Sequence, residues 1–272
     1  SKVDTLFSCS ILRKEKILQE LEAERLRRQN LTKEDLQKKY ADLQRTGFPL
    51  SECIGFIADL GGSNQLAYHY ELICEDWERD DPLHLDNSFD KHDLAGIDFL
   101  FAAINKASTE KIRVFTAYLI AEILVRSKHR DFYTAACNRL VPILVSHINT
   151  KDCVLRRKVL IAVGWVGTAQ EIGIFNDRML HDEDSLCRAW SASGLWQLSC
   201  NRLHSQTILP EVKDVFRQAI AAEKDLFACG VMIESAQSLF GKKWISAIAV
   251  ENEDAVKIEK ARKSAVRFLS KD

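Results

Sequence analysis

Residues 152–199 decide the fold: DCVLRRKVLIAVGWVG (152–167), TAQEIGIFNDRML (168–180) and HDEDSLCRAWSASGLWQLS (181–199). The first and third pieces are one device written twice. Asp152-x-x-x-Arg156 returns 32 residues later as Asp184-x-x-x-Arg188, and Trp165 returns 31 residues later as Trp196. Each copy has an acidic start, a leucine shortly before the Arg (Leu155, Leu186), and small and apolar residues at helical spacing, as in Ala189, Ala192, Gly194 and Leu195. A period in this range with no Gly- or β-rich spacer marks a stacked helical repeat. Asp supplies a helix N-cap, because its carboxylate accepts from backbone N–H groups that lack intrahelical partners. Arg one turn on offers a planar fork of donors.

Outward from this core the chain reads as helices. The 272 residues hold only four prolines and eleven glycines, too few turn formers for a strand-based fold. Residues 8–29 form a charged helix, and Thr32-x-x-Asp35 opens another with a capping-box pattern, followed by Leu36, Tyr40 and Leu43 on one face. Gly47-Phe48-Pro49 breaks it. Residues 1–50 are thus expected to be a helical hairpin capping an array over 51–272. Ser51 opens a helix that Gly61-Gly62 stops, and a second follows with Tyr70, Leu72 and Ile73. Residues 75–90 lack helical periodicity and are expected to form an acidic loop containing Trp77 and Phe89. Helix pairs follow over 93–107, 109–127, 131–148, 211–222, 224–240, 242–250 and 254–269. Between them lie a loop over 201–209, Pro210 in a first helical turn, and Pro142 as a kink or late start. Asp225 keeps the repeat's acid, but Cys229 stands where Arg is expected.

The net charge is −1, yet residues 51–100 carry twelve acidic and two basic side chains. A near-neutral total argues against nucleic-acid binding, which needs a strongly basic face. No apolar run is long enough to span a bilayer, and no apolar leader opens the chain, so a cytoplasmic location is expected. The eight cysteines include no C-x-x-C pair and read as small core residues in a reducing compartment. His147 near Cys153, His181 near Cys187, and Cys200-x-x-x-His204 lack matching second pairs, so no metal or other cofactor is expected. There is neither a G-x-S-x-G elbow nor a Gly-rich phosphate loop, so no enzymatic constellation is visible.

The Asp-x-x-x-Arg device, carried by Asp152, Arg156, Asp184 and Arg188, resembles the HEAT family, in particular the bacterial HEAT-like or PBS-lyase repeats. The likeness covers roughly 91–270 and is specific over 150–199. It implies an all-α solenoid of stacked antiparallel helix pairs, in which each Arg reaches the Asp of the adjacent repeat. It also implies second helices that line a concave binding face. Trp165, Trp190 and Trp196 fall on those helices. At ~100° per residue Trp190 and Trp196 cannot share a face, which makes Trp190 the expected surface member. Arg157 and the acidic stretch Glu75, Asp76, Trp77, Asp80 and Asp81 complete the expected partner-binding set. Architecture and size are similar to immunity proteins encoded beside polymorphic toxins of the Rhs class. That likeness implies a non-enzymatic module occluding a basic toxin domain, with charge complementarity speeding encounter. The alternative is a DNA-binding or glycosylase-type enzyme, or a lyase-like subunit. It draws on the basic clusters Arg126-Ser-Lys-His-Arg130 and Arg156-Arg-Lys158.

Overall fold

A computed structural model describes the backbone of residues 2–201 and 205–271 and the side chains of 14–201 and 208–271. Among the described residues the protein is all-α: α1 (Lys2–Gln29), α2 (Lys33–Thr46), α3 (Leu50–Gly62), α4 (Leu66–Asp76), α5 (Asp93–Lys106), α6 (Glu110–Arg126), α7 (Tyr133–Ser146), α8 (Cys153–Val166), α9 (Ile172–His181), α10 (Ser185–Asn201), α11 (Ser205–Ala222), α12 (Leu226–Leu239), α13 (Ala247–Glu251) and α14 (Ala255–Leu269). Short 3₁₀ segments occupy Leu85–His92 and Ala169–Glu171. Two compact units are present, residues 1–99 and 100–272. The charged opening therefore belongs to the same unit as the acidic stretch.

The physical reason lies in the first unit's charges. Arg27 and Arg28 of α1 and Lys39 of α2 converge on the buried Asp59 of α3, with Arg27 Nη2 at 2.6 Å. That carboxylate is stable away from water only because cations surround it. The capping box at Thr32 and Asp35 forms as expected, and Leu36, Tyr40 and Leu43 are buried. Gly47 ends α2 in the left-handed conformation at φ 74°, which glycine adopts without strain. Pro49, not Ser51, stands at the α3 N-cap. α3 ends at Gly62 as expected, with Ser63 at its C-cap, and a Cβ on Gly61 would come within 2.6 Å of Ser88. Here glycine serves close packing, and Ser88 Oγ donates to the Ile57 carbonyl at 2.6 Å.

In the second unit, α6, α8, α10 and α12 pack against one another in sequence order, while α7 packs against α6 and α8, α9 against α10, and α11 against α10 and α12. The row helices are buried on several sides: Ala162, Val163 and Val166 in α8, Ala189, Ala192 and Leu195 in α10, and Ala228, Met232 and Ala236 in α12. Small residues recur because helix follows helix closely. A Cβ on Gly164 would meet Gly194 Cα at 2.9 Å, and one on Gly194 would meet the Phe175 ring at 2.3 Å. The flanking helices bury narrower stripes, such as Ile172, Phe175 and Met179 in α9. α14 closes the unit with Ile258, Ala261, Ala265 and Leu269. Several sequence expectations move. Pro142 lies within α7, α11 begins at Ser205 and contains Pro210, and α13 is only five residues long. The side chain of Cys9 and residues 202–204 of the expected 201–209 loop, His204 among them, lie outside the described residues.

Candidate functional site

Asp152 caps α8, accepting from Val154 N at 2.8 Å and Leu155 N at 3.2 Å. Asp184 caps α10 through Cys187 N, and Asp225 caps α12 through Ala228 N, both at 2.8 Å. The caps match expectation, but the guanidinium partners do not. Arg156 grips Asp182, with Nε and Nη2 each 2.8 Å from a carboxylate oxygen. Arg188 grips Glu223 in the same two-pronged way at 2.7 and 2.8 Å. Neither Arg156 nor Arg188 reaches the cap expected of it. Each meets the acid two residues before the next repeat's cap. The geometry explains the offset. Arg156 Nη1 donates to Thr150 O at 2.6 Å and Arg188 Nη1 to Asp182 O at 2.8 Å. Both carbonyls lie two residues before the arginine's own cap, so each fork spans equivalent turns of adjacent repeats.

Arg157, expected on the partner-binding surface, instead clamps Asp184 with Nε at 2.8 Å and Nη2 at 2.5 Å. Asp184 thus caps its helix and holds a second cross-link. Arg157 keeps its carboxyl at about 2 against the desolvation that burial brings. Burial works to raise Asp182 and Glu223, yet their arginines hold both below the usual carboxylate range. At Cys229, where the pattern lapses, α14 supplies the missing fork: Arg262 Nη1 donates to Ile220 O and Glu223 O, each at 2.7 Å. Charged cross-links therefore tie together the turns that precede α8, α10 and α12.

The tryptophans lie on the row helices, and all three are half-buried. Trp190 and Trp196, expected on different faces of α10, border one cavity. Together with Ser193 and Phe227 they wall a cavity of about 340 Å³. Trp190 also borders a second cavity of about 270 Å³ with Tyr118, Ile161 and Trp165. Tyr118 and Trp165 rings lie 5.2 Å apart, and Lys158 Nζ sits 4.3 Å from the Tyr118 centroid and 4.7 Å from that of Phe115. A run of aromatic side chains therefore crosses α6, α8, α10 and α12.

In the first unit the acidic stretch is organised by Asp76. This side chain, expected at a partner surface, is buried, and it accepts from Leu83 N at 2.7 Å and Leu85 N at 3.2 Å. It folds the connection back on itself. Glu75, Asp80 and Asp81 are exposed, Trp77 is half-buried against Tyr70, and the residues from Leu85 are a 3₁₀ turn rather than a loop. Sequence reading missed His69 and His92, which are buried with Nδ1 of one 2.9 Å from Nε2 of the other. His69 Nε2 lies 2.8 Å from the Leu85 carbonyl, which only accepts, so that nitrogen carries hydrogen and Nδ1 accepts from His92. Burial pushes His69 down to about 3 and His92 to about 4, so both are neutral at physiological pH. Spacing alone could not have found them, since 23 residues separate them.

Cys53, Cys137, Cys187 and Cys229 are buried as core residues, Cys74 and Cys153 are half-buried, and Cys200 is exposed. Among the described residues no group of three His, Cys, Asp or Glu could hold a metal ion, and no helix is long and apolar enough to cross a membrane. No family model matches the chain, and no curated protein or solved structure matches it.

Proposed function

We propose that the second unit is a HEAT-like solenoid that holds a protein partner against the aromatic face of α6, α8, α10 and α12. The observation that carries this reading is the run Tyr118, Trp165, Trp190, Trp196 and Phe227, half-buried along helices packed in a row. Large aromatics that keep part of their surface in water lose that exposure on docking, and such residues dominate interface energies. The arginine cross-links at the turns preceding the row helices fix the spacing of the row, so the face is preorganised and loses little freedom on binding. Neutralisation of a toxin domain with a basic surface, as by an immunity protein, is the biological role we favour. A photo-crosslinking residue at Gln197, beside the tryptophans, should capture a partner in the native cell, and one at Asp177 on α9 should not. Equal capture from both positions would refute this face. Tight duplex-DNA binding that weakens steeply with salt would replace the reading with a nucleic-acid one.

A further inference from the structure

The aromatic run is not uniform. At its α6–α8 end the ring faces are already occupied by a cation of the chain itself, since Lys158 lies over Phe115 and Tyr118. At its α10–α12 end the arrangement is the opposite. Two indoles and a phenyl ring, Trp190, Trp196 and Phe227, wall a cavity whose charged members are Glu234 and Glu251, both carboxylates. Among the described residues no cation lies over these rings, and neither carboxylate has an ion-pair partner. Ring faces attract cations through their quadrupole, most strongly at Trp, and a nearby carboxylate adds direct attraction. An opening of about 340 Å³ lies at the small end of ligand-site volumes and admits one long side chain.

We infer that this cavity receives an arginine or lysine side chain of the partner, stacked between the indoles and paired with Glu234 and Glu251. Lys158 shows the same device satisfied from within the chain; here the cation comes from outside. The inference rests on the protein-binding reading and names the chemistry of one contact in it. A basic occupant accounts for a feature that a purely apolar partner would not tolerate, namely two carboxylates that docking would otherwise desolvate without a counter-charge.

The test uses the full chain and two probes of nearly equal shape, N-acetyl-arginine methylamide and its citrulline counterpart, titrated by calorimetry and tryptophan fluorescence. The arginine probe should bind about tenfold more tightly than citrulline. In the variant carrying the isosteric changes Glu234→Gln, at a half-buried position, and Glu251→Gln, at an exposed one, the arginine probe should fall to the citrulline level while citrulline binding stays unchanged. Equal affinities in the parent chain, saturable binding by neither probe, or a preference for arginine that survives the double substitution would each overturn the site. Failure here leaves partner capture at Gln197 intact. Arginine binding without partner capture would leave the site standing and remove the docking reading.

Discussion

Substitution of Arg156 by Met tests whether the cross-links hold the second unit together. Arg156 and Asp182 are both buried, and their two-pronged contact is at 2.8 Å. Removing one member of a buried pair leaves an uncompensated charge, at a cost of about 3–5 kcal/mol. The lower end applies, because Asp182 would keep Arg178 Nη1 at 3.3 Å and the Asp184 N–H at 3.0 Å. Thr150 O would also lose its donor. A loss of about 3 kcal/mol corresponds to about 6–12 °C in Tm for a unit of this size. Urea unfolding of R156M, D182N and the double variant closes a cycle, whose coupling should exceed about 2 kcal/mol. The pH dependence has a definite sign. In R156M the orphan carboxylate is charged at neutral pH, so the deficit is full there. It shrinks as acid protonates Asp182. A deficit under about 1 kcal/mol, additive single effects, or a deficit independent of pH would refute the cross-link account.

Gly194→Ala should lower stability by about 1–3 kcal/mol despite the better helix propensity of alanine, because the added methyl would press on Phe175; trimming Phe175 to Leu should restore part of the loss in thermal unfolding. In the first unit, His69 and His92 titrate far below unfolded histidine. Stability present above pH ~6.5 should therefore decline as pH falls toward about 4, approaching ~1.4 kcal/mol per pH unit per histidine; urea midpoints for the parent that stay flat across that window would contradict it. Asp76→Ala removes the acceptor for Leu83 and Leu85 N–H and should cost about 2 kcal/mol. Limited proteolysis should then cut between residues 77 and 84, and an unchanged digestion pattern would count against the role given to Asp76. In the parent, acid should erode the second unit's stability as Asp182, Asp184 and Glu223 protonate. Because all three are lowered in the folded chain, the contribution is complete above pH ~5 and is lost as pH falls through the folded values, about 2 for Asp184.

Helix identity was legible because caps and apolar spacing are local. Asp152, Thr109, Asp225 and Asp254 each announced a helix start, and each caps one. The cross-link partners were not legible. Asp-x-x-x-Arg draws the eye to the cap, whereas the bonded acid is at 182 or 223, two residues earlier. Aligning Thr150, Asp182 and Glu223 against the three caps would have exposed that column of polar residues. The capping box Thr168-x-x-Glu171 is just as local a signal. The shared cavity of Trp190 and Trp196 needed ring size as well as angle. The buried histidine pair needed tertiary proximity, which no local pattern encodes.

The position of the gripped acids has a consequence for how the chain tolerates change. Thr150 and Asp182 are 32 residues apart, whereas Asp182 and Glu223 are 41 apart, yet Arg156 and Arg188 make the same contacts in both intervals. Each fork senses only the turn in front of the following helix and is blind to the length of chain spooled out between. Connectors can therefore lengthen or shorten without detuning the register of the row, leaving new segments free to be added at its margins.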